Sequence, residues 1–190
     1  LALVAADAAE AAEKLRAFAS GEARSGVASG RRGRAMSPKL AFLFADVENN
    51  WSIAAQELFE NEEVFSEAMA RCGQATQTEP ATLLVDSCSL GTAAFGYSVS
   101  VLLKSWGLLP IAILFSGAGA PAASAVEGAL ELGDALRSGR AAHPLGADQV
   151  QQLVDEGVTA VILIGEVDLP EDLRGVAPGM EWLAATGPGG

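Results

Sequence analysis

The sequence predicts a layered α/β fold, a parallel sheet with flanking helices, and three observations lead there. Short apolar runs of strand type alternate with longer segments whose apolar residues recur at helical spacing. Strands separated in this way pair in parallel through crossover connections. Half of the residues are hydrophobic but only 6% are aromatic, and alanine supplies much of the apolar count; such small side chains suit helices laid on a sheet rather than a β-sandwich. At 190 residues the chain is long enough for one well-buried core and short for two.

In chain order, Leu1 to Val4 predicts a short strand, and Asp7 precedes a helix over Ala8 to Phe18 with Ala11, Leu15 and Phe18 on one face. Gly21 to Ser37, rich in Gly, Ser and Arg, is expected to be a linker, with Arg31, Arg32 and Arg34 solvated in it. Leu40 to Phe44 is a strand, and Trp51 to Phe59 and Val64 to Cys72 are amphipathic helices with Glu on their outer faces. Thr82 to Val85 is a candidate strand, Gly91 to Trp106 a helix, Pro110 to Phe115 a strand and Ala122 to Arg137 a helix. Ala147 to Glu156 closes as a helix, Val158 to Ile164 as a strand and Pro170 to Arg174 as a last turn, before a Gly/Pro tail from Ala185 to Gly190.

Charge and composition narrow the function. A formal net charge of −12 repels phosphate backbones and anionic lipid, which argues against nucleic-acid and membrane partners. The uncharged stretch from Ser105 to Val126 has the length of a membrane span, but Gly107, Pro110, Gly117, Gly119 and Pro121 interrupt it. Asp7 and Glu10 break the opening apolar run, so no signal peptide is expected, and without Met at position 1 the chain reads as a piece of a longer one. Cys72 and Cys88 have no metal-ligand spacing and form no disulfide framework, and His143 is the one histidine. No metal and no cofactor are expected, and a reducing cytoplasm is the simpler compartment.

The chemistry concentrates in Ile111 to Asp134, which has the layout of a strand, a tight turn and a helix. That layout exposes the serine of a G-x-S-x-G nucleophile elbow beside backbone N–H donors. Here the pentapeptide is Phe115-Ser116-Gly117-Ala118-Gly119, so the central position is a glycine. Gly117, Gly119 and the helix after them also offer N–H groups to an anion.

This stretch resembles the acyltransferase domains of polyketide and polyunsaturated fatty-acid synthases, which carry G-H-S-x-G-E followed by a small-residue helix and a G-A-L-S-L-E-D-like motif. Gly128 to Asp134 (GALELGD) fits that end motif without a gap. Counting back puts Phe115, Ser116 and Gly117 on the family's Gly, His and Ser, and Ala120 on its Glu. Lys104 to Leu108 (KSWGL) is similar to the family's R-S-W-G-V, and Lys39 to Trp51 to its K-V-A-F-V-F-P-G-Q-G-S-Q-W opening. Val64 to Cys72 matches its V-F-x-x-x-x-x-x-C segment, and Val150 to Gly165 its closing helix and strand.

The resemblance implies an α/β-hydrolase-like acyltransferase core over residues 39–184, lacking the ferredoxin-like small subdomain. A small α/β linker of the ketosynthase–acyltransferase type precedes it over 1–38, and a flexible tail follows over 185–190. It also exposes departures. Val47 takes the oxyanion-loop position, flanked by Asp46 and Glu48 where the family has glycines; the turn is restricted, and two carboxylates oppose an oxyanion. The substrate arginine would fall at Ala142, and His143 lies outside the family's histidine motif. Losing the nucleophile alone costs many orders of magnitude. The expectation is therefore that this segment is not an enzyme but a structural or docking domain. Its implied partners are an adjacent ketosynthase and a trans-acting acyltransferase or acyl carrier protein.

The alternative is acyl transfer or serine hydrolysis using Ser116 or Ser89. Thr82 to Gly91 (TLLVDSCSLG) reads as a strand and a turn with Ser89, or Cys88, as nucleophile, His143 as base and Asp155 or Asp168 as acid. Helix capping by Ser87 or Ser89 is the plainer expectation. Gly96 to Ser100 lies within a predicted helix and is read as packing. The acidic groups Glu57, Glu60, Glu62 and Glu63 are read as solvated, and Glu166, Asp168, Glu171 and Asp172 as helix capping near Pro170.

Overall fold

The computed structural model describes residues 1–29, 38–45, 51–85, 89–128, 130–138, 145–165 and 175–185. They fall into two compact units, Leu1–Ser37 and Pro38–Gly190.

In the first unit, β1 (Ala2–Leu3) pairs antiparallel with β2 (Val27–Ala28), and α1 (Ala8–Ala19) lies between them in sequence. Asp7 starts the helix reciprocally. Its carboxylate accepts from the Glu10 N–H at 2.8 Å, while the Glu10 carboxylate accepts from the Ala6 N–H at 2.7 Å. Lys14 donates to the Val4 carbonyl at 2.8 Å and pairs with Glu10 at 2.9 Å; its hydrogen bond to the Glu10 carboxylate, with that from the Ala6 N–H, holds the Glu10 carboxyl below its usual range. One expectation is corrected here. The segment taken for a linker contains β2, which Val27 and Ala28 form by pairing with β1. The helix expected from Ala8 is present; Leu15 and Phe18 are exposed on it, and Ala17 is its buried residue.

The second unit is built on a four-stranded parallel sheet: β3 (Leu40–Phe44), β4 (Pro110–Phe115), β5 (Ala160–Ile164) and β6 (Glu181–Ala184), in the order β4-β3-β5-β6. Alternation along the strands separates two faces. Phe42, Phe44, Ile162 and Ile164 point into one apolar cluster, and Ala41, Leu43, Leu114 and Val161 into another.

The first face carries most of the helices. These are α2 (Trp51–Asn61), α3 (Glu63–Thr76), α4 (Pro80–Val85), α5 (Ser89–Ser105), α6 (Ala120–Glu127) and α7 (Leu132–Arg137). Their contributions meet around Phe95, whose ring lies 5.1 Å from Trp51 and 6.0 Å from Phe65. At Gly96 a Cβ would stand 3.1 Å from that of Ala122 and 3.4 Å from the Phe44 ring, so the missing side chain lets α5 settle onto both β3 and α6. The opposite face is covered by α8 (Ala147–Asp155), through Val150 and Leu153, and by Ala177 and Met180.

Three further expectations change. Thr82 to Val85 is helical, not a strand. Pro80 opens the turn, the Glu79 carbonyl accepts from the Thr82 and Leu83 N–H groups, and the adjacent Leu83 and Leu84 are both buried. A four-residue apolar run carries no period that separates the two states. The helix expected over Ala122 to Arg137 is broken, because Gly128 takes φ +71° and ends α6. The sequence reading missed β6, an edge strand in which only Trp182 is partly buried. The expected turn at Pro170 to Arg174, the arginines 31, 32 and 34 and the tail from residue 186 lie outside the described residues. Among the described residues no helix is long and apolar enough to cross a membrane.

Ser98 of α5 and Cys72 of α3 meet as neighbours in the buried interior. Ser98 is fully buried and its hydroxyl has no nitrogen or oxygen partner; its neighbour is the Cys72 thiol. Replacing Ser98 by Ala removes a desolvated hydroxyl, so stability should hold or rise by up to about 1 kcal/mol; a loss of 2 kcal/mol or more in denaturant titration would disprove this.

Burial pushes the Cys72 thiol from its ordinary 9.0 up to about 12. Between those values the folded chain holds a proton that the unfolded chain has lost, so stability falls as pH rises through that window. Stability curves from pH 8 to 11 should therefore be steeper for the wild type than for Cys72→Ala.

Candidate active site at the carboxyl edge of the sheet

In open parallel sheets ligands sit outside the carboxyl ends of the strands, where the strand order reverses. Here the chain passes from β3 to β4 on one side, then crosses to β5 on the other. The reversal therefore lies at the end of β3, flanked by the turns that leave β4 and β5.

These ends are tied together by the backbone. The Ala45 N–H donates to the Ile164 carbonyl at 3.0 Å, and the Ser116 N–H donates to the Phe44 carbonyl at 2.8 Å. After Ser116 the chain makes a 3₁₀ turn over Gly117–Gly119, in which the Gly119 N–H donates to the Ser116 carbonyl at 3.0 Å, and then enters α6. The strand, turn and helix expected from the sequence are thus present.

The two glycines of the turn do different work. Gly117, at the apex, has φ +54°, in the left-handed region that is costly for a residue with a Cβ. This is the strained conformation in which a nucleophile elbow holds its serine, adopted here by a residue that bears no strain and no nucleophile. At Gly119 a Cβ would fall 2.2 Å from the Phe44 carbonyl oxygen, so glycine is required for the turn to come this close to β3.

Ser116 sits one residue before the apex, in extended conformation and half-buried, and its side chain does not cap the turn. It is the hydroxyl of the elbow. Val47, with Asp46 and Glu48, lies outside the described residues, as do Ala142 and His143. Residues 138–146 alone join α7 to α8, which leaves no room for a further subdomain at that junction.

The second candidate nucleophile fares differently. Ser89 is exposed and begins α5, but the residues before it form α4 rather than a strand, so the strand that an elbow needs is absent. Asp155, offered as its acid, ends α8 on the opposite face of the sheet and accepts from Gln151 at 3.0 Å. Ser87, Cys88, Asp168 and the acidic run near Pro170 lie outside the described residues. Among the described residues no group of His, Cys, Asp and Glu is arranged to hold a metal ion. What sequence reasoning missed is the contact of Gly119 with Phe44; the second glycine of the pentapeptide was its only signal.

The elbow has a stability signature. Gly119→Ala should cost at least about 2 kcal/mol, because the clash is with backbone. Gly117→Ala should cost about 1 kcal/mol, for the left-handed φ alone. Chemical denaturation of both variants checks the order; equal or negligible losses would contradict the geometry.

Comparison with known proteins agrees with this architecture. No protein-family profile matches the chain. It is 33% identical over 150 residues to the spectinabilin polyketide synthase system protein NorA of Streptomyces orinoci, a match over 71% of this chain and 8% of that protein. Among solved structures, it resembles the acyltransferase domain from the second module of the salinomycin polyketide synthase. That match has 25% identity and a TM-score of 0.62, and covers 82% of this chain and 37% of the other. The fold is also that of an acyl-carrier-protein S-malonyltransferase from Burkholderia pseudomallei, at 12% identity and a TM-score of 0.60, over 79% of this chain and 97% of that one. The chain is similar in sequence and in fold to acyltransferase domains of type I polyketide synthases. The expectation that the segment is not an enzyme is corrected by these matches, since the structures it resembles are acyl- and malonyltransferases.

Proposed function

We propose that this segment, an acyltransferase-type core of the polyketide synthase kind, takes an acyl group from a thioester at the turn between β4 and α6. The observation that supports this reading is the preserved elbow, with Gly117 at φ +54° and Gly119 pressed against the end of β3. Because position 117 has no side chain, the attacking hydroxyl is assigned to Ser116. Its Oγ bonds to the thioester carbonyl carbon, the carbon–sulfur bond breaks, and the hydroxyl proton ends on the departing thiol. Ser89 takes no part in this reading.

The test is intact-mass measurement after incubation with acetyl-CoA or malonyl-CoA. One acyl adduct, mapping to Ser116 and lost in Ser116→Ala, is expected. Gly117→Ser, which puts a hydroxyl at the apex, should acylate at least about tenfold faster. An unmodified wild type under conditions that label Gly117→Ser would sink the assignment to Ser116.

The segment also has a proposed docking role inside a longer cytoplasmic synthase, against an adjacent ketosynthase and an acyl carrier protein or trans-acting acyltransferase. Its match to 8% of the length of a polyketide synthase protein supports that setting, and the free, buried thiol of Cys72 suits a reducing compartment. Pull-down with the parent's ketosynthase and carrier domains should recover at least one of them; recovery of neither would refute the docking role.

A further inference from the structure

We draw no further inference here: the strongest candidate, the exposed apolar patch of Trp106, Leu109 and Ile111 where α5 leads into the edge strand β4, carries nothing because nothing in the structure shows what covers it.

Discussion

The turn after β4 comes so close to the end of β3 that the Phe44 carbonyl lies where a side chain at position 119 would have to begin. That same carbonyl accepts the Ser116 N–H. The contact fixes where α6 starts, and α6 in turn meets α5 across Gly96 and Ala122. Two absent side chains, at 96 and 119, thus bring the elbow, the central strand and the longest helix together. The aromatic cluster of Trp51, Phe65 and Phe95 fills the remaining space on that face.

Much of this was legible in the sequence because burial leaves a period. Strands β3, β4 and β5 stand out as short, charge-free apolar runs, and helices of ten residues or more, such as α3 and α5, repeat their apolar positions often enough to be recognised. The failures share a cause. Pro80 to Val85 is too short to show a period, and its helical state depends on the proline and on burial of two adjacent leucines. Strand β6 contributes one partly buried tryptophan from an edge, so its pattern is that of a loop. The break at Gly128 turns on a single left-handed residue.

The site was legible in its shape and less so in its chemistry. The order of strand, glycine turn and small-residue helix located the elbow, and the structure placed Gly117 in the conformation that such a turn imposes. The expectation that the segment is not an enzyme is the part that the relatives overturn. The fold around it is shared with acyl- and malonyltransferases, and a hydroxyl remains one residue away. The strand expected before Ser89 is a helix over Pro80–Val85 instead, for a reason the sequence could not supply.

The proposed place for a ligand is the carboxyl end of the sheet, on the turn held by Phe44. Backbone amide chemical shifts, followed while a non-hydrolysable acyl-thioester analogue is added, test it most directly. The largest changes are expected to centre on Ala45 and on Ser116 to Gly119. Changes centred instead on α8 and the opposite face of the sheet would contradict it.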